Sequence, residues 1–526
     1  MCGFVYFHQT KLADEQFHSA LESIHHRGPD DTEFGEINGN LFGFKRLAIM
    51  DPTHAGDQPF KSPSAMVMCN GEIYNYPALK LEHSTYAYTS KSDCEVILPL
   101  YEKGGIELVV EKLDGEFAFV ILDKKTGELF AARDPMGIRP LFYGKTKTGQ
   151  VAFASEAKAL KETCIDIVPF PPGCYYAHGE IKTFNDLARE YKYVDHTIEE
   201  VTKNIHDLLV EGVKKRLQSD TPIGFLLSGG LDSSLVCSIA QKHSDKPIKT
   251  FGIGMSEDAI DLKYAKEVAE HIGSDHTEVI ITREDVLASL SDVIKHLESW
   301  DITTTRASVG MYLICKYIRE KTDVKVLLTG EVSDEIFGYK YTDFAPTPEE
   351  FQKEAQKRVK ELYIYDVLRA DRCISAHSLE ARVPFSDTDF VEYVMSIDPA
   401  LKMNTYGKGK YLLRKAFEKG DYLPESILYR EKAAFSDAVG HSLVDTIKDY
   451  AQSLYTESEF KMLTRKYDYK TPFTKESLLF REIFEGHFPK MAKLICDYWM
   501  PNKEWENCDV TDPSARVLPN YGASGV

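Results

Sequence analysis

With 526 residues the chain is too long for one ordinary domain and suits two or three, and its 43% hydrophobic and 11% aromatic content is enough for real cores. A net charge of −19 disfavours nucleic acid and anionic membranes as partners, although average charge says nothing about a local phosphate pocket. No apolar run approaches the roughly 20 residues that span a bilayer, the start lacks a secretory pattern, and ten cysteines without a CxxC pair fit reduced thiols, so a cytoplasmic protein is expected.

Up to residue 192, short β-type runs at 41–44, 66–69, 116–122, 128–132 and 151–154 are separated by turn dipeptides such as Asp51-Pro52 and Thr126-Gly127. Helical stretches at 15–25 and 93–101 interrupt them, which predicts an α+β domain with antiparallel sheet. Phe170-Pro171-Pro172-Gly173 and the polar stretch 185–193 mark the approach to a boundary. After Thr197 the rhythm changes. A helix at 198–217 leads to the apolar run 223–227, a glycine turn and another helix. Strand 249–253, helix 262–271, strand 277–281, helix 308–320 and the run 324–328 follow, an alternation that predicts a doubly wound parallel sheet. Beyond residue 348 the pattern is mainly helical, with 352–363 expected as a solvated helix face. Residues 501–526 form a polar tail, expected to order poorly or only by docking. The expected domains are therefore 2–192 and 197–500, followed by that tail.

The first chemical signal is Cys2. If Met1 is removed, one residue carries both a thiol and a free α-amine, and the amine titrates near neutrality, so nucleophile and base come together without a histidine. Taken alone, position 2 could equally be an ordinary cysteine. Downstream come His26-Arg27-Gly28-Pro29-Asp30, Arg46-Leu47-Ala48-Ile49-Met50-Asp51, Asn70-Gly71-Glu72-Ile73-Tyr74-Asn75, Ser92-Asp93-Cys94-Glu95, Asp114–Phe119 and Arg133-Asp134-Pro135-Met136-Gly137. In that order they resemble the glutaminase domain of class II amidotransferases, an N-terminal-nucleophile hydrolase sandwich. The resemblance makes Cys2 the nucleophile. Arg46, whose guanidinium fork suits a carboxylate, would bind glutamine together with Leu47, Ile49, Asn70, Glu72 and Asp93. Glu72 and Asp93 would take the substrate ammonium, while Asn70 and the Gly71 N–H would donate to the oxyanion, where one donor is worth about 3–4 kcal/mol. Asp134 reads as structural, and His25 and His26 have no zinc-type context around them.

The second signal is Leu226-Leu227-Ser228-Gly229-Gly230-Leu231-Asp232-Ser233-Ser234, which joins an apolar strand to a helix. Its glycines permit a tight turn and close approach, and its hydroxyls and helix N–H groups suit an anion. It lacks the lysine of GxxxxGK[ST] and resembles instead the SGGxDS loop of ATP pyrophosphatases, which release AMP and pyrophosphate. That resemblance implies ATP binding by Leu227, Ser228, Gly229, Gly230, Asp232, Ser233 and Ile253, with Mg²⁺ on Asp232. From the residues alone, Lys249–Gly254 reads as well as a plain buried strand.

The segments 300–308, 328–335, 379–385, 429–437, 479–485 and 512–516 resemble, in the same order, the asparagine synthetases. The family implies adenylation of the aspartate β-carboxylate followed by attack of ammonia made from glutamine. Thr329 and Gly330 would then contact ATP, Asp334 would be the second Mg²⁺ carboxylate, Glu331 would position and deprotonate ammonia, and Lys432 would stabilise the polyphosphate. Arg306 and Arg382 either hold substrate or knit the domain. The family also implies a homodimer and an apolar route for ammonia. This chain departs from the family's SGEGSDE with Thr329 and Val332. A β-branched residue resists positive φ, so a loop of altered shape is expected at Val332. Intact Cys2, Asp232, Glu331, Asp334 and Lys432 oppose a pseudoenzyme, the glutaminase residues oppose a β-lactam-forming synthetase, and the complete ATP loop has no purpose in a simple glutaminase.

Overall fold

The computed structural model describes residues 1–256, 259–430 and 441–520. The chain divides into two compact units: one comprises Met1–Leu187, Gln218–Pro222 and Ile374–Ala381, and the other comprises Ala188–Leu217, Ile223–Cys373 and the chain from Arg382 onward.

The first unit holds twelve strands: β1 Gly3–Phe7, β2 Asp31–Ile37, β3 Asn40–Arg46, β4 Phe60–Lys61, β5 Ala65–Ile73, β6 Gly115–Asp123, β7 Leu129–Arg133, β8 Phe142–Thr146, β9 Val151–Ala154, β10 Cys164–Pro169, β11 Cys174–Ala177 and β12 Glu180–Thr183. They form two six-stranded sheets, ordered β10-β8-β9-β1-β3-β2 and β12-β11-β7-β6-β5-β4. The registered pairs are antiparallel, such as Phe4 opposite Phe44 and Asn70 opposite Ala118. Alternation along the strands creates two cores. Phe4, Tyr6, Phe42, Phe44, Met66, Met68, Ala118 and Val120 meet between the sheets. Val67, Cys69, Phe117, Phe119 and Ile121 face the other way, against Ile97, Leu98 and Val109 of the helix Ile97–Lys112. On the far side, Phe7 meets Phe17 of the helix Asp14–Glu22 at 6.4 Å. The result is the expected antiparallel sandwich with helices outside. The helix expected at 93–101 instead begins with a 3₁₀ turn, Cys94–Val96, and continues to Lys112 through non-helical Gly104 and Gly105, two glycines that masked the periodicity.

The second unit is built on β13 Ile223–Leu226, β14 Lys249–Gly254, β15 Asp275–Ile280 and β16 Val326–Leu328, ordered β15-β14-β13-β16. The β13–β14, β13–β16 and β14–β15 pairs are parallel, as strand–helix alternation predicts. The helix Ile302–Lys321 starts earlier than expected because the Asp301 side chain accepts the Thr304 N–H at 2.8 Å and caps it. In Pro348–Glu361 the charged face is not wholly solvated: Glu354 and Arg358 are buried and paired at 2.7 Å, with the Tyr341 hydroxyl on both. Up to residue 520 the tail is ordered by docking, with Trp505, Cys508 and Leu518 packed on Tyr341 and Phe351. Among the described residues no helix is long and apolar enough to cross a membrane.

Candidate active sites

Strand parity decides which side chains meet in the first unit. Cys2 shares the inward parity of Phe4 and Tyr6, Arg46 that of Phe42 and Phe44, and Asn70 and Glu72 that of Met66 and Met68. With Phe4 opposite Phe44, the β1–β3 register runs Cys2 out alongside Arg46. The Cys2 thiol lies 3.6 Å from the Leu47 carbonyl. Arg27, from the HRGPD motif, donates to the Cys2 carbonyl at 2.9 Å and to Glu156 at 2.7 Å, so the chain start is tied to a fully buried ion pair. His26 also contacts Glu156, at 3.1 Å.

Burial sets the local acid–base character. It pushes the Cys2 thiol up to about 11, and it pulls the Met1 amine, which donates to the Leu379 carbonyl at 3.2 Å, down to about 5. Arg46 is buried and held by the Asp57 carboxylate and by the carbonyls of Asp51 and Thr53, the last at 2.8 Å. Ile49 is buried just beyond the Leu47 carbonyl. Asp93 accepts the Ile73 N–H at 2.7 Å, yet burial raises its pKa. Asn70 is the most informative side chain. It is fully buried, and neither its Oδ1 nor its Nδ2 has a hydrogen-bond partner. An unpaired buried amide costs about 1–3 kcal/mol, and such a group belongs where a ligand supplies the partner. Gly71 has no room for a side chain, because a Cβ would collide with the Glu116 carbonyl on the paired strand. Asp134 accepts N–H groups from Met136, Ile138 and Arg139 and organises its own turn, as a structural residue should.

In the second unit, β13 and β16 are parallel neighbours with Phe225 opposite Leu328, so the loops leaving their C-terminal ends meet. In the first loop Gly229 adopts φ +68° and packs against Tyr264 and Ala265, where a Cβ would not fit. The Ser228 and Ser233 hydroxyls meet at 2.9 Å, and the helix Leu231–Lys242 begins with Asp232 in its first turn. The second loop carries Thr329, Gly330, Glu331 and Val332 into the short helix Ser333–Phe337. One cavity of about 570 Å³ is lined by Leu227, Ser228, Gly230, Asp232, Ser233, Ile253, Thr329, Gly330, Glu331 and Asp334. Gly229 supplies the turn behind that lining, and Lys432 lies outside the described residues. The Thr329 hydroxyl and Glu331 Oε2 are buried without a hydrogen-bond partner, both on this cavity.

Val332 does not relieve its loop of positive φ. It sits at φ +83°, ψ −29°, fully buried, in the left-handed region that a glycine would occupy. The valine holds a backbone conformation that its β-branched side chain disfavours, and it carries that strain. Arg306 pairs with Glu476 at 2.7 Å and with Asp512 at 2.8 Å while also lining the cavity, and Arg382 donates to the Arg216 carbonyl at 3.0 Å.

Three basic residues of this site were assigned no role from the sequence. The Lys410 ammonium lies 2.8 and 2.9 Å from the two Asp232 oxygens, 2.9 Å from Ser333 Oγ and 2.6 Å from Asp334 Oδ1. Arg369 pairs with Glu331 at 3.3 Å and Asp366 at 2.9 Å. Arg430 braces the first loop through the Gly229 carbonyl at 3.0 Å and stacks on Tyr264 at 3.9 Å. Lys410 is 178 residues from Asp232, and no local motif announces it. Burial, with Asp366 and Asp334 nearby, pushes Glu335 up to about 8.

An antiparallel sandwich with a cysteine at its leading strand, together with a parallel sheet bearing a Ser-Gly-Gly phosphate-type loop, defines a two-part amidotransferase. Residues 1–170 match the glutamine amidotransferase domain family, and residues 204–347 and 340–511 match the asparagine synthase family. Over 563 aligned positions the chain is 42% identical to the asparagine synthetases [glutamine-hydrolyzing] of Pongo abelii and Homo sapiens, covering 99% of each chain. The same protein of Bos taurus is 42% identical over 566 positions, covering 100% of both. The chain belongs to the family of glutamine-hydrolysing asparagine synthetases.

Proposed function

We propose that the chain converts ATP, L-aspartate, L-glutamine and water into AMP, diphosphate, L-asparagine and L-glutamate. In the glutaminase half, removal of Met1 exposes the Cys2 amine, which takes the thiol proton as sulfur attacks the glutamine amide. A thiol with a raised pKa needs such an internal base. The Asn70 amide and the Gly71 N–H stabilise the oxyanion, and the unpaired state of Asn70 supports this role. Arg46, with the Leu47–Ile49 segment, receives the α-carboxylate, and Glu72 and Asp93 receive the ammonium. Hydrolysis of the thioester returns Cys2 and yields glutamate.

In the synthetase half, Leu227 and Ile253 flank the adenine, and Ser228, Gly229, Gly230, Ser233, Thr329 and Gly330 surround the phosphates. The aspartate β-carboxylate attacks the α-phosphorus and pyrophosphate leaves, giving β-aspartyl-AMP. Asp232 and Asp334 are the residues that would hold Mg²⁺. Their carboxylate oxygens, gathered on the Lys410 ammonium, fit a hard cation. When bound, that ion offsets charge on the leaving pyrophosphate. Glu331, oriented by Arg369, takes the proton as ammonia attacks the acyl carbon. Lys432 adds charge stabilisation by its place in the family motif. The observation that carries the synthetase reading is the convergence of Asp232, Asp334 and Glu331, from two adjacent loops, on one cavity. We further assign the protein to the cytoplasm as a homodimer, on its reduced-thiol composition and its family.

Exchanging Cys2 for alanine tests the division of labour. Glutamine-dependent asparagine formation is expected to disappear while synthesis from ammonium salts persists, and equal loss of both would contradict the two-site scheme.

A further inference from the structure

Two carboxylates proposed to hold a divalent cation already hold a cation of the chain's own. Lys410 is buried and enters at the end of the Gly407–Gly409 stretch, itself at φ +58°. Its loop is anchored on both sides: Lys408 donates to the Tyr429 carbonyl at 3.2 Å, and Arg414 donates to the Gly409 carbonyl at 2.7 Å. From that anchor the ammonium meets four oxygens at 2.6–2.9 Å: both from Asp232, one from Asp334, and Ser333 Oγ. Ser333 Oγ in turn donates to Asp232 at 2.8 Å, so the oxygens are held around Nζ as a shell. A surface ion pair has no such shell.

We propose that Lys410 is an internal counter-cation that occupies the divalent-metal position until nucleotide arrives, so that the metal enters with ATP and not alone. The proposal rests on reading Asp232 and Asp334 as metal carboxylates. The charges set its direction. A divalent cation is attracted to the two carboxylates more strongly than a single positive charge is. A bare cation must nevertheless shed water and expel an ammonium from the four oxygens that hold it at 2.6–2.9 Å. When the cation arrives with ATP, the displaced ammonium gains the phosphates as its new partner, and the exchange becomes favourable. Lys410 thereby couples metal entry to nucleotide entry and becomes a phosphate contact afterwards.

The test is a titration of the full-length protein with Mn²⁺, following free Mn²⁺ by electron paramagnetic resonance, with and without ATP. For Lys410→Met without nucleotide, Mn²⁺ is expected to bind about tenfold or more tightly than in the wild type, and Asp232→Asn in the same background should remove the gain. With ATP present, Lys410→Met should bind the nucleotide more weakly. If Lys410→Met binds bare Mn²⁺ no better than wild type while Asp232→Asn still weakens Mn²⁺ binding with ATP, the carboxylate reading stands and the counter-cation proposal is overturned. If Asp232→Asn changes neither titration, the carboxylate reading itself fails and the proposal falls with it. Lys410→Gln, which keeps a hydrogen-bond donor without the charge, is read in the same way should the methionine variant not fold.

Discussion

Replacing Val332 by glycine and, separately, by alanine isolates the backbone at this position from its packing. Both variants lose the two buried valine methyls, a deletion that costs about 2 kcal/mol at a site that cannot collapse. What distinguishes them is the left-handed conformation, φ +83°. Holding an alanine there costs about 1–2 kcal/mol, whereas glycine adopts it freely but gives up about 0.5–1 kcal/mol of chain entropy and keeps no methyl. The glycine variant should therefore match or exceed the alanine variant, by up to about 1 kcal/mol. At an ordinary negative φ the order reverses, with alanine ahead by about 0.5–1 kcal/mol. All three tryptophans, Trp300, Trp499 and Trp505, belong to the second unit, so urea unfolding followed by tryptophan fluorescence reports that unit alone. An alanine variant clearly more stable than the glycine variant would refute a strained Val332. The glycine variant should also retain asparagine synthesis, because it restores the residue type that the loop conformation favours.

Two further outcomes are expected. Asn70→Ala should lower glutamine turnover by about 10²–10³-fold and leave ammonia-dependent synthesis unchanged, measured as glutamate and asparagine release from the same preparation. Lys402 is buried, donates to Gln352 Oε1 at 3.0 Å and to the Val394 carbonyl at 3.1 Å, and burial pulls its amine down to about 7. The unfolded chain, with a pKa near 10.5, therefore binds more protons than the folded one between about pH 7 and 10.5, and wild-type stability gains as pH rises through that window. Lys402→Met, which cannot titrate, should have its largest advantage over wild type below pH 7 and lose it by about 1.4 kcal/mol per pH unit above. Urea midpoints at pH 6.5, 8 and 9.5 measure this, and a difference independent of pH would contradict the burial argument.

The period-2 run 66–69 was legible because its side chains serve two opposite cores, and the same parity carried Cys2, Arg46 and Asn70 inward without any further signal. The SGGLDSS loop was legible because a glycine turn between an apolar strand and a helix has few other uses. Lys410 and Arg369 were not. They reach the site from segments far along the chain, and their residue types are common on any surface. Glu354 and Arg358 were misread as solvent-facing because a charged i,i+4 pair looks the same in sequence whether it faces water or the Tyr341 ring. Val332 broke the expected rule in an instructive direction: the buried loop held its left-handed turn against the preference of the residue.

The central claim is that nitrogen from glutamine ends in asparagine at the expense of an α–β phosphate bond. The direct measurement supplies Mg²⁺-ATP, aspartate and amide-¹⁵N glutamine to the full-length protein and quantifies ¹⁵N-asparagine, AMP, pyrophosphate and glutamate together. The account predicts labelled asparagine, AMP and pyrophosphate in equal amounts. Glutamate without asparagine, or ADP in place of AMP, would contradict it.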